Sequence, residues 1–120
     1  ANFSNPRLSS ALVSLAGPAS NFLFACIFAL IFRLSPVVVF SGVFQVLVVL
    51  NLTLCFFNLI PINPLDGFKV VWGFLPTQLA WQWMDLAPYG VYLLLLLLLT
   101  DVASSIISVP VGFFTGWLLG

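Results

Sequence analysis

Long apolar stretches broken by only a handful of charges leave this chain one solvent in which to fold. Hydrophobic residues make up 62% of its 120 positions, charged residues 5%, and mean hydropathy is +1.24. Soluble domains carry roughly a quarter charged residues, so this inventory cannot cover a surface facing water. The composition predicts an all-α, polytopic transmembrane helix bundle with about three to four spans, forming a single membrane-embedded unit over residues 1–120. Its partner by composition is the lipid bilayer, and its location is a multi-pass membrane protein. Arg7, Arg33 and Lys69 balance Asp66, Asp85 and Asp101 to a formal net charge of +0. With no basic cluster, nucleic acid is excluded as a partner.

The first apolar segment runs from Leu8 to Phe32 between Arg7 and Arg33. At about 25 residues it is long enough to cross a bilayer with some tilt. Both arginines are expected to snorkel to the headgroups. Gly17 and Pro18 predict a kink midway, and Asn21 should face a helix or cavity and not lipid. The second segment starts at Pro36 or Val37 and ends near Ile60. Asn51 reads as interhelical hydrogen-bond glue. A mixed stretch from Gly67 to Trp83 follows, read as a short helix or re-entrant piece and then an interfacial belt; it carries Trp72, Trp81 and Trp83, and Lys69, expected to snorkel. The last region, Tyr89 to Leu119, is interrupted by Asp101 and Pro110. Its seven leucines, Leu93–Leu99, favour insertion by roughly 0.5 kcal/mol each, about what one mid-bilayer aspartate at roughly 3 kcal/mol would cancel. Asp101 is therefore placed at a boundary, with a span from Tyr89 to near Thr100 and a final helix or hairpin from Ser104. Asp85 is a second boundary charge. Gly112, Gly116 and Gly120 recur at helix-packing spacing. Cys26 and Cys55 read as small apolar packing residues.

Between the second segment and the Trp-rich stretch stands Asn58-Leu-Ile-Pro61-Ile62-Asn63-Pro64-Leu-Asp66-Gly67. Two prolines end the helix and push their preceding residues towards extended backbone. A broken segment at residues 61–67 puts an acid where irregular backbone is tolerated only against protein or a polar cavity. An ionisable residue there is a functional-site candidate. A carboxylate is also a zinc ligand, but a catalytic zinc needs three protein ligands. The chain has no histidine and no glutamate, so a Ser-His-Asp triad or a two-His zinc site cannot be assembled from it alone. It opens on Ala1, consistent with a piece of a longer protein or with removal of an initiator Met. Asn58 could donate its amide to a developing oxyanion or serve, like Asn51, as interhelical glue, and the broken link could pair with an extended peptide.

The same stretch resembles the Asn-x-x-Pro-x-x-x-x-Asp-Gly motif of the site-2 protease family of intramembrane zinc metalloproteases. Gly17-Pro18-Ala19-Ser20-Asn21 is similar to the Gly-Pro-x-x-Asn segment of those proteins, and the likeness continues into the Tyr-Gly and poly-Leu segment from Tyr89. The resemblance implies that Asp66 is the third ligand of a Zn2+ ion and that Asn58 assists the substrate or transition state. The break at Pro61, Ile62, Asn63 and Pro64 is the surface where strand addition would receive such an enzyme's transmembrane protein substrate. The resemblance also implies a His-Glu-x-x-His helix elsewhere in the polypeptide. This chain is then the C-terminal part of a larger metalloprotease domain, inactive alone and a zinc metalloendopeptidase when joined to the histidine-bearing segment. A non-catalytic relative, or a transporter or scaffold-type membrane protein, stays open beside it. The bland reading of Asp66 itself is an Asp-Gly turn that caps the next helix.

Overall fold

The computed structural model of the protein describes residues 5–35 and 40–120. Among them there are helices and turns and no strand. Pro36, expected at the start of the second helix, lies outside the described residues.

Helix α1 (Pro6–Leu34) starts where the sequence supplies both signals of a helix N-terminus. The Asn5 side chain accepts from the Leu8 N–H at 3.3 Å, and Pro6 occupies the first turn. It continues through Pro18 and ends where Ser35 turns extended. Helix α2 (Ser41–Asn58) stops three residues before Pro61, as the proline predicts. Residues 59–65 form the link. Helices α3 (Asp66–Phe74) and α4 (Thr77–Met84) follow, then a 3-10 turn (Ala87–Tyr89), α5 (Gly90–Leu99) and α6 (Val102–Leu119).

Helix α1 is the backbone of the assembly. Small buried residues on it, Ala11, Ala25 and Ala29, let neighbours approach closely. α3 packs on its N-terminal half, where Gly73 comes against Ala11 and the Arg7 carbonyl with no room for a Cβ. α2 packs beside it, Ala25 and Ala29 meeting Val48 and Leu52 in one apolar core that Ile107 and Val111 of α6 complete. Phe114 of α6 makes an edge contact with Phe22 at 5.2 Å and stacks on Phe56 at 5.5 Å, fastening α6 to α1 and α2. The result is a slab with Cα extents of 54 × 39 × 17 Å. In so thin a body most large apolar side chains face outward, as bilayer solvation permits. Among the described residues, four helical stretches are long and apolar enough to cross a membrane: Pro6–Leu34, Ser41–Asn58, Thr77–Leu99 and Val102–Leu119.

Several expectations are corrected. The arginines, read from the sequence as able to reach the headgroups, have protein partners as well. Arg7 donates from Nη1 to the carbonyls of Trp72 (2.9 Å) and Leu75 (2.8 Å) and from Nη2 to Thr77 Oγ1 (3.2 Å). Arg33 donates to Leu118 and Trp117 at 2.6 and 3.0 Å. Each guanidinium therefore satisfies orphan carbonyls at the C-terminal end of a helix, α3 and α6 respectively, where the macrodipole also favours a cation. Asn51 is not interhelical glue: its amide bonds back to Leu47 of its own helix at 2.8 Å. The poly-Leu span does not begin at Tyr89. α5 has 10 residues, which at 1.5 Å per residue give only about 15 Å; the stretch long enough to cross begins at Thr77. In the Trp-rich stretch Trp81 is exposed, and Trp83 stacks on Phe68 at 5.1 Å and donates to its carbonyl at 3.0 Å. Asp101 does stand at a turn, in the left-handed region (φ 59°) between α5 and α6. Gly112 and Gly116 meet nothing within 4 Å, so their spacing packs no helix among the described residues.

Candidate functional site

The geometry of the site follows from how the chain passes α1 twice. α2 descends beside α1, the link turns, and α3 continues along the remaining half of the same helix. The junction of link and α3 thus falls close to the middle of α1. Asp66, the first residue of α3, lies there: a Cβ on Gly17 would stand 3.1 Å from Asp66 Oδ2. Gly17 is about 17 Å along α1 from its start at Pro6. A side chain at 17 would press on the carboxylate, and glycine leaves it room.

Asp66 is half-buried. The capping reading does not hold for it. Leu65 holds the N-cap position with no side-chain bond, and the Asp66 carboxylate has no hydrogen bond or ion pair among the described residues. Its setting contrasts with the other polar groups of the spans. Ser20, Thr53, Asn58 and Thr100 all bond to the carbonyl four residues earlier on their own helix, the usual self-satisfaction of polar side chains in apolar surroundings. Asp66 makes no such bond among the described residues.

The backbone around Asp66 is held tightly. A Cβ on Gly67 would collide with the Leu59 carbonyl and come 2.6 Å from the Ile60 carbonyl oxygen, so this position needs glycine for close approach. Phe68, 4% exposed, is clamped by Trp83. Neither Gly17 as the neighbour of Asp66 nor Trp83 as the clamp was singled out from the sequence. Gly17 stood in a motif, which was a usable signal; Trp83 gave only the general signal of an interfacial aromatic.

The link is irregular, as expected, but turned and not strand-like. The N–H groups of Ile60, Ile62 and Leu65 bond to the carbonyls of Phe57 (3.2 Å), Ile60 (2.8 Å) and Ile62 (2.7 Å). Pro61 and Pro64 have no N–H. The segment is thus poor in free donors, and an extended peptide could meet it chiefly through its carbonyls. Pro61 and Pro64 are exposed and Ile62 packs against the apolar core. Asn63 serves a structural tie: its amide donates to Ala87 at 3.1 Å, and its carbonyl abuts Gly90 with no space for a Cβ. Asn58, at the end of α2, spends one amide hydrogen on Leu54 at 2.9 Å and keeps the other.

Zinc needs three protein donors at a catalytic site. Among the described residues no group of three His, Cys, Asp or Glu comes together. Around Asp66 the described residues bring no such set together.

No family model matches the chain. No solved structure matches it. It is 33% identical, in an alignment of 115 positions that covers 88% of this chain, to the Bacillus subtilis (strain 168) protein named "Putative zinc metalloprotease YwhC". The chain spans about half of that relative, 52%. The relationship is metalloprotease-like.

Proposed function

We propose that this chain is part of an intramembrane zinc metalloprotease of the site-2 type, which hydrolyses peptide bonds of transmembrane substrates with Asp66 as one of three zinc ligands. One observation carries the reading. A half-buried carboxylate lies midway along a membrane-length helix, over a glycine, with no hydrogen bond and no counter-charge among the described residues. Such a group is costly unless something binds it, and the relative's name supplies zinc as the candidate. The two remaining donors come from polypeptide outside this chain. When bound, zinc would supply a Lewis acid and a water of lowered pKa. This chain's own residues hold and orient. Gly67 and the Trp83–Phe68 clamp fix the start of α3 and with it the carboxylate. The free amide hydrogen of Asn58 donates to a substrate carbonyl. The carbonyls of the exposed Pro61 and Pro64 receive N–H groups of an unwound substrate segment.

The test uses the full-length protein containing this segment. Asp66→Asn keeps the shape but weakens metal ligation. The expected result is loss of most of the roughly one zinc per molecule together with loss of cleavage of a membrane-embedded reporter. Asp85→Asn, at an exposed turn, is expected to keep both. Full zinc and full cleavage in Asp66→Asn would overturn the assignment.

A further inference from the structure

Lys69 takes no part in that reading, and neither does the cleft it enters. Between α1 and α3 lies a cavity of about 370 Å³ lined by Pro6, Ser9, Ser10, Val13 and Ser14 of α1 and by Lys69 of α3. Both arginines have their guanidinium groups committed to helix carbonyls. Lys69 is exposed and has no hydrogen bond or ion pair among the described residues. Ser14 is only 7% exposed. Its hydroxyl lines the cleft without a partner among the described residues, whereas Ser20 on the same helix turns its own back to Ala16 at 2.6 Å. Ser10 and Ser14, four apart, share one face of α1. The cleft reaches Pro6 in the first turn of a 29-residue helix, where the macrodipole is positive. No acid is among its lining residues. Positive charge and hydroxyl donors converge there from two helices, with an apolar wall of Pro6 and Val13 beside them.

We propose that this cleft binds a phosphate group, the Lys69 ammonium supplying the charge and the Ser10 and Ser14 hydroxyls donating to its oxygens. A cation and neutral donors around one anion give charge-assisted hydrogen bonds, the stronger class. The phosphate can be carried on a phospholipid headgroup, whose glycerol would lie on the Pro6–Val13 wall, or be free in solution. The inference stands independently of whether Asp66 binds zinc.

The experiment measures binding of three probes to the delipidated full-length protein in detergent: dioleoylphosphatidylglycerol, phosphate-free dioleoylglycerol and inorganic phosphate. Phosphatidylglycerol is expected to bind and dioleoylglycerol is not. Lys69→Gln should weaken phosphatidylglycerol about tenfold or more, and Lys69→Arg should restore it. Ser14→Val, which fills the cleft while leaving Lys69 intact, should weaken it as well. Displacement of the lipid by millimolar inorganic phosphate supports a free anion as the natural occupant, and no displacement supports the headgroup. Equal binding of the two lipids, no binding of either phosphate probe, or unchanged affinity in both Lys69→Gln and Ser14→Val would overturn the proposal.

Discussion

At the scale of single residues, the account turns on how little space surrounds one carboxylate. The Gly17 Cα faces Asp66 so closely that an added methyl would need the carboxylate to move by a few tenths of an ångström. A side-chain end can yield that much, so Gly17→Ala should cost little stability. Under the proposed ligation it should, however, displace the Asp66 oxygen from its place. We expect zinc affinity of the full-length protein to fall about tenfold or more, the scale of a misplaced ligand, while thermal unfolding in detergent changes by less than about 1 kcal/mol. Unchanged affinity would detach Gly17 from the site. Gly67 differs, because its new Cβ would meet backbone carbonyls that cannot swing away. Gly67→Ala should destabilise the fold by about 2–3 kcal/mol, the cost of overpacking, read as an earlier melting transition whether or not metal is present. Both motifs that hold these glycines were legible in the sequence. Their meeting was not, since residues 17 and 66 come together only after α3 folds back along α1.

Between helices, the arginines do what membrane-surface arguments did not anticipate. The partners of Arg7 lie 65 to 70 residues along the chain and those of Arg33 about as far, 84 and 85, distances at which no local pattern speaks. Arg7→Gln removes three hydrogen bonds that tie α1 to the end of α3 and the start of α4. A loss of about 1–3 kcal/mol is expected, measurable as a lower unfolding midpoint, and wild-type stability in this variant would show that the tie contributes nothing. Gly112 and Gly116 test the opposite condition. Nothing lies within 4 Å of either among the described residues, so alanine there should raise stability by about 0.5–1 kcal/mol each through helix propensity. Destabilisation instead would reveal a helix packed on α6 in the full protein. Helix ends set by local signals were readable: Asn5 and Pro6 open α1, and Pro61 closes α2. The start of the third apolar stretch was misread because Trp and Gln in α4 look interfacial, while the 3-10 turn at Ala87–Tyr89 carries the helical path straight into α5.

The whole molecule is a slab thin enough that its broad faces remain open, and it spans about half of its metalloprotease-like relative. Composition alone announced the helical membrane architecture, since 62% hydrophobic and 5% charged residues cannot cover a water-facing surface. What composition could not show was depth. That Asp66 lies near the middle of α1 follows from the lengths of α2 and α3 laid end to end beside it. Zinc absorption spectroscopy on the full-length protein tests the central claim most directly, with Asp66→Cys as the reporter. If Asp66 ligates the ion, its replacement puts sulfur into the first coordination shell, at about 2.3 Å. A zinc spectrum identical in the wild type and in Asp66→Cys, with the metal still bound, would contradict the account.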